Sequence, residues 1–136
     1  MANQLYTKAK EALLNGDIDL DTNTIKAVLV DAADYNPVLA TDNALDDIPE
    51  AARVAISPAL TGVTITNGVF NASPVTLPAV TGHQFEYIVV YKVGASEALS
   101  PLILLIDTFT GNPCTPSGAD ITVSWDTGAD KIFKLT

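Results

Sequence analysis

The residues that could do chemistry in this chain are few, and three alternating aspartates come first. Asp17, Asp19 and Asp21 have the spacing of ligands at the start of a calcium-binding loop. Such a loop needs a glycine at its sixth position and a glutamate at its twelfth, where this chain has Thr22 and Val28. We therefore predict that the three acids lie on the wet face of a strand and hold no metal ion.

His83 and Cys114 are the sole histidine and the sole cysteine, and each has a possible catalytic role. General acid–base catalysis needs partners for the histidine. The sequence has no Gly-x-Ser-x-Gly motif, and neither paired acids around the histidine nor a cysteine–histidine arrangement can be assigned. Cys114 lies in a proline-rich loop without a visible activating base. We predict a structural or surface role for His83 and an inert thiol at Cys114.

Two further groups of side chains have both a binding and a structural interpretation. An acidic cluster could bind a cation weakly, although such clusters are more often solvated; it consists of Asp42, Asp46, Asp47 and Glu50. Five aromatic residues could form a sugar-stacking platform, although their period-two placement on strands favours core packing; they are Phe85, Tyr87, Tyr91, Trp125 and Phe133. We assign no catalytic, cofactor-binding or metal-binding residue, and we predict neither a cofactor nor enzymatic activity.

The composition bounds the class of protein. Apolar residues make up 48% of the chain and charged residues 17%, which suits a packed domain. The length of 136 residues fits one domain, which we predict over residues 1–136. The single cysteine excludes an intramolecular disulfide. No apolar run approaches the roughly 20 residues that span a bilayer, and no signal peptide is recognised, so we expect a soluble product made in the cytoplasm without a membrane partner.

The charge is strongly acidic and unevenly placed. Sixteen acids against seven bases give a net charge of −9, and residues 11–50 hold ten acids and one base, Lys26. Such a surface repels phosphate backbones, so we predict no nucleic-acid partner. A solvated face is the simpler interpretation of the acidic segment. A patch that docks onto a basic partner surface is the alternative.

The elements that must position these residues begin with a short amphipathic helix, predicted over residues 5–14. Its apolar stripe consists of Leu5, Ala9, Ala12 and Leu13. Asn15-Gly16 ends the helix in the usual C-terminal manner. A helix this short is marginal alone, so it must lean on the domain or on a neighbouring subunit.

From residue 17 onward the apolar residues recur with a period of two, which indicates eight to nine short strands. The segment 102–106 is apolar on both faces and should be a central strand, while Asn67-Gly68 predicts a hairpin. Residues 31–50 read as a long acidic loop with one helical turn near Ala44–Ile48. We predict a mainly β, single-domain antiparallel β-sandwich or jelly roll over residues 17–136, preceded by a helix or arm at 1–16.

The order of these segments resembles a small protein family widespread in tailed bacteriophages. The match covers nearly the whole chain and consists of DIDLDTNTIKAVLVD (17–31), LDDIPEAARVA (45–55), ALTGVTITNGVFNASPVTLPAVTG (59–82), EYIVVYKVG (86–94), SPLILLIDT (100–108) and DITVSWDTGADKIFKL (120–135). The resemblance implies a β-rich structural protein of the particle, such as a cement or decoration protein of the capsid. It implies no catalytic or binding residues.

The expected function is therefore that of a non-enzymatic virion structural protein. It would lie on the capsid surface, bind the major capsid protein and itself as a homo-oligomer such as a trimer, and stabilise the assembled lattice. A tail or head–tail connector component and a receptor- or glycan-binding module are the alternatives, and a small hydrolase is the weakest. Residues 2–16 and 31–50 are the expected contact elements. Whether the helix swaps between subunits stays open.

Overall fold

The chain forms short strands and one α-helix in the computed structural model, which describes residues 3–135. Within this range the elements are, in chain order, β1 (Gln4–Leu5), α1 (Thr7–Asn15), β2 (Ile25–Val30), β3 (Arg53–Ile56), β4 (Thr64–Thr66), β5 (Val69–Asn71), β6 (Val75–Leu77), β7 (Tyr87–Lys92), β8 (Leu102–Ile106), β9 (Ile121–Val123) and β10 (Phe133–Lys134). The predicted mainly β fold with antiparallel sheets and a short N-terminal helix is confirmed.

The main sheet has five strands in the order β1-β8-β7-β2-β3, all antiparallel. Its three inner strands carry apolar side chains that are buried on both faces, as the continuous apolar segments predicted. Val28, Val89 and Leu105 lie side by side in one row across these strands, and none of them is exposed to solvent. The predicted central position of residues 102–106 is confirmed.

Two smaller sheets hold the other strands, β10-β5-β4 and β6-β9. The predicted hairpin joins β4 to β5 through Asn67 and Gly68, whose φ angles of 55° and 76° are those of a type I′ turn. This arrangement is compatible with a β-sandwich. The jelly roll is not confirmed, because the described strands divide into sheets of five, three and two rather than two sheets of a jelly roll.

Helix α1 packs on its own chain. It ends where Gly16 adopts a left-handed conformation with φ of 80°, as Asn15-Gly16 predicted. Ala9 and the preceding Tyr6 are fully buried, and the Tyr6 main-chain N–H donates to the Ile103 carbonyl at 3.0 Å. The segment is therefore part of the monomer's core. Deletion of residues 2–14 should consequently destabilise the domain as well as any assembly.

The predicted strand at residues 17–21 is wrong. Main-chain turns replace it, closed by the Asp19 carboxylate, which accepts hydrogen bonds from the N–H groups of Asp21 (3.0 Å) and Thr22 (3.3 Å). Short polar side chains that bond to their own backbone favour turns over strands. The alternation nevertheless has its predicted effect, since Ile18 and Leu20 are buried and the acids are exposed.

The 31–50 segment is the predicted long loop, and Leu45–Asp47 forms the predicted helical turn. It is not a loose loop, because Tyr35, Leu45 and Ile48 are buried in the core.

None of the helices described within residues 3–135 combines the length and the apolar character that a membrane span requires.

Two leucines offer a matched test of this burial pattern. Leu105 is fully buried in the central strand, whereas Leu14 at the end of α1 is 89% exposed. We expect Leu105→Ala to lower the free energy of unfolding by about 2–5 kcal/mol, through lost burial and a cavity. Leu14→Ala should change it by less than about 0.5 kcal/mol. Urea unfolding followed by circular dichroism measures both, and equal effects would contradict the described core.

Candidate functional site

A wide cleft of about 1570 Å³ lies between the main sheet and the C-terminal strands. Ile88, Leu104 and Ile106 of the main sheet contribute its apolar lining, together with side chains of β9, β10 and the residues around them. Trp125, just after β9, also lines the cleft and is half-buried; its indole N–H donates to the Ser73 carbonyl at 3.1 Å. The cleft therefore presents both apolar surface and polar edges.

Several ionisable side chains line this cleft, among them Cys114, Asp126 and Lys131. Cys114 is half-buried and its main chain pairs with Phe85 in both directions, at 2.9 and 3.1 Å. Asp126 accepts a hydrogen bond from the Gly128 N–H, and the Lys131 ammonium donates to the Thr127 carbonyl. No histidine is among the lining residues described. The inert role of Cys114 stays a prediction.

His83 lies at the surface, as predicted, but the structure gives it acidic neighbours. Its Nδ1 is 3.4 Å from Oδ2 of Asp31, and one ligand atom each from Asp31, Asp34 and His83 lie within 4.8 Å of one another. Two acids thus lie beside His83, and the prediction that the histidine has no paired acids around it is wrong. The pairing of Val30 with Tyr87 explains why Asp31 lies beside His83, since it brings the residue after β2 close to the segment before β7.

The acidic cluster does not act as one unit. Asp42 accepts hydrogen bonds from the Tyr35 hydroxyl at 2.7 Å and the Val38 N–H at 2.9 Å. Asp47 accepts from the main-chain N–H groups of residues 43 and 44, at 2.6 and 3.1 Å. These hydrogen bonds hold the loop in shape, although Asp47 is exposed to solvent and Asp42 is half-buried. Asp46 and Glu50 are also exposed, in line with the prediction that the cluster is solvated.

A chain of hydroxyl groups connects the start of α1 to this loop. The Tyr6 and Tyr35 hydroxyls are 3.0 Å apart, and Tyr35 donates onward to Asp42. Burial raises the pKa of both tyrosines well above their ordinary value near 10. The Thr7 N–H also donates to the Leu39 carbonyl at 2.9 Å. The two segments predicted to contact partners thus contact each other.

Arg53, at the start of β3, clamps the end of the loop. Its guanidinium donates to the carbonyls of Ile48 (2.9 Å) and Leu45 (3.0 Å) and makes a bidentate pair with Glu97, at 2.8 and 3.0 Å. Hydrogen bonding to Arg53 lowers the pKa of the Glu97 carboxyl. A lysine could not make this fork of bonds.

The aromatic residues separate into core and cleft positions. Phe85, Tyr91 and Phe133 are buried, which confirms core packing for these three, and Phe133 packs against Phe70 with ring centroids 5.4 Å apart. Tyr87 and Trp125 are half-buried. A platform of several exposed rings is therefore not formed by these five residues. Phe85, Trp125 and Phe133 all line the cleft, and of these three Trp125 is the half-buried one.

Comparison with protein-family models yields no match, and comparison with curated proteins yields none either. The function of the chain is therefore inferred from its own residues and their geometry.

The hydroxyl chain can be tested by removing one oxygen atom. Tyr35→Phe deprives both Asp42 and Tyr6 of a hydrogen-bond partner, so we expect it to lower the free energy of unfolding by about 1–3 kcal/mol. Tyr91→Phe is the control, since Tyr91 is as buried as Tyr35, at 4% exposure, and no side-chain hydrogen bond of its hydroxyl is found within residues 3–135. Urea unfolding measures both variants. A loss no larger than that of the control would contradict a stabilising role of the chain.

The same tyrosines predict alkaline sensitivity. Unfolded tyrosines ionise near pH 10, whereas Tyr6 and Tyr35 keep their protons to higher pH in the fold. Their contribution to stability is therefore complete below about pH 10 and is lost as the pH rises above it. We expect the urea midpoint to fall above pH 10, and to fall less steeply in the Tyr6→Phe/Tyr35→Phe double variant. If the urea midpoint fell equally steeply above pH 10 in the original chain and in the double variant, the result would contradict a role of Tyr6 and Tyr35 in the alkaline sensitivity.

Proposed function

We propose that this chain is a non-enzymatic structural protein of a tailed-bacteriophage particle, namely a head cement or decoration protein. In this role it binds the major capsid protein on the outside of the shell, assembles with copies of itself and stabilises the lattice. The ordered resemblance of its segments motivates the choice of particle. The observation that carries the binding role is the wide cleft, because the apolar surface and polar edges of its lining suit a polypeptide.

The size of the cleft supports a macromolecular occupant. Small-molecule pockets have volumes of about 300–1,000 Å³, and this cleft reaches about 1570 Å³. Half-buried apolar side chains of the lining, namely Ile121, Trp125 and Ile132, can contact the side chains of an extended segment, while polar groups along the lining can bond to its main chain. A neighbouring capsid subunit or a second copy of this chain can supply such a segment.

The outer edge of the three-stranded sheet, where β4 has no further strand partner within residues 3–135, is a second surface suited to assembly. All three residues of β4 are exposed, and Ile65 at its centre is 51% exposed. The strand contains neither lysine nor proline, which proteins commonly use to prevent pairing at sheet edges. A partner strand can add to this edge through main-chain hydrogen bonds.

Exposed apolar side chains and the acidic charge agree with a place on a lattice. Leu14, Leu99 and Leu135 are 89%, 64% and 56% exposed, and burial of such side chains against a partner stabilises contacts. The net charge of −9 suits the outside of a shell, away from packaged nucleic acid. Binding to sites that exist only in the assembled lattice raises the free energy of shell rupture.

Copy number distinguishes this proposal from its alternatives. We expect quantitative mass spectrometry of separated heads and tails to find the chain on heads, in numbers comparable to the major capsid protein. A small multiple of three or six on tails would assign it to the tail or connector class. Absence from both fractions would overturn a structural role.

One exposed side chain allows the contact itself to be tested. Leu14→Ser should leave the melting temperature unchanged, because this side chain is 89% exposed, and should reduce the copies retained on heads. Asn15→Ser, at the next exposed position of α1, is the matched control. Retention equal to that of the control would remove α1 from the contact surface.

A glycan-binding module is the second candidate, favoured by the position of Trp125 in the lining of the cleft. An indole ring beside polar groups can stack on a sugar. Trp125 is the sole tryptophan, so its fluorescence reports on this position alone. A saturable change of emission on titration with oligosaccharides would favour this candidate, whereas unchanged emission across a glycan panel would favour the structural one.

A further inference from the structure

The side chains of Asp31, Asp34 and His83, here called the Asp–Asp–His cluster, have the spacing of ligands around one metal ion. Metal–ligand bonds of about 2.0–2.1 Å in a tetrahedral site place neighbouring ligand atoms about 3.3–3.4 Å apart. The distance from Asp31 Oδ2 to His83 Nδ1 is 3.4 Å, and the three ligand atoms lie within 4.8 Å of one another. A small adjustment of the exposed Asp34 and His83 side chains brings all three into range.

Asp31 is already oriented for this role. It is one of three buried polar residues in the described core, and its side chain is 10% exposed. Its Oδ1 accepts a hydrogen bond from the Ala33 N–H at 2.8 Å, which directs Oδ2 towards His83. A hydrogen-bonded, buried carboxylate of this kind is the support that first ligands of metal sites commonly have.

The backbone and a neighbouring acid complete the setting. The Asp34 N–H donates to the Asp31 carbonyl at 3.2 Å, so a turn brings the second carboxylate back beside the first. Glu86 accepts hydrogen bonds from the Ala32 N–H (2.8 Å) and the Gln84 amide (3.0 Å). Glu86 is thereby held close by and adds negative potential that favours a cation.

The donor set selects the kind of ion. Two carboxylate oxygens and one imidazole nitrogen suit zinc and related divalent transition metals, whereas Mg²⁺ and Ca²⁺ prefer oxygen ligands alone. We propose that Asp31, Asp34 and His83 form a binding site for a divalent transition-metal ion of the zinc type. Three protein ligands leave a further coordination position for water.

The place of the cluster predicts what the ion does to the fold. Asp31 and Asp34 follow β2, and His83 precedes β7, the partner of β2 in the main sheet. A bound ion therefore joins the two segments at one end of the central ladder. It stabilises the folded state by an amount that grows with the logarithm of the free ion concentration above the dissociation constant, because the unfolded chain does not hold these ligands together.

The sole histidine makes the site accessible to a direct measurement. We expect titration of the full chain with zinc chloride, in a buffer that does not coordinate zinc, to shift the His83 imidazole NMR signals and to saturate at one equivalent. Isothermal calorimetry should give the same stoichiometry. Zinc at about 100-fold above its dissociation constant should raise the melting temperature by about 5–10 °C.

Substitutions at exposed positions show whether zinc binds to the Asp–Asp–His cluster or to another carboxylate or the thiol of the chain. His83→Ala and Asp34→Asn, both at exposed positions, should each weaken zinc binding by at least about tenfold. Asp46→Asn and Cys114→Ser should leave it unchanged. Absence of saturable binding, or binding that survives His83→Ala and Asp34→Asn, would overturn the proposal. Magnesium binding as tight as zinc binding would overturn the assigned class of ion.

Discussion

The ladder of β2, β7 and β8 is the constraint on which the rest of the structure depends. These neighbouring strands bury apolar side chains on both faces, so each face needs cover from the rest of a short chain. One face, bearing Ile88 and Leu104, contributes to the cleft beside the C-terminal strands. The alternation of side chains places Val89 and Leu105 on the opposite face, where they are equally inaccessible to solvent. Every other element of the described chain can be understood as cover for this ladder or as a connection that permits it.

Because the ladder is buried on both faces, the polar groups at the ends of its strands are also withdrawn from water and need hydrogen-bond partners. A main-chain group withdrawn from water must find a partner. The Ser57 hydroxyl accepts from the Ala27 N–H and donates to the Pro58 carbonyl, just after the last residue of β3. The Ser100 hydroxyl joins the Gly94 N–H and the Ser96 carbonyl in the same way. The long acidic loop is ordered by the same principle, because it lies over buried surface.

The proposed sites lie at the margins of this ladder. The cleft lies between the ladder and the short C-terminal strands, and the Asp–Asp–His cluster lies where β2 and β7 end side by side. At such places the fold tolerates exposed apolar and charged groups without loss of the core. Binding surfaces can therefore differ while the ladder is retained, which is how structural proteins of one fold serve different contacts.

The sequence by itself determined the elements whose signals are local. Apolar segments as long as a strand, Asn67-Gly68 and Asn15-Gly16 specify strands, a hairpin and a helix end through backbone preferences that act within a few residues. Only the tertiary structure decided which distant side chains meet. The acid beside His83, the packing of Tyr6 and the cleft depend on strand pairing across the sheet, and many pairings satisfy the same alternation of residues. Local patterns state which face of an element is buried, but they do not state what covers it.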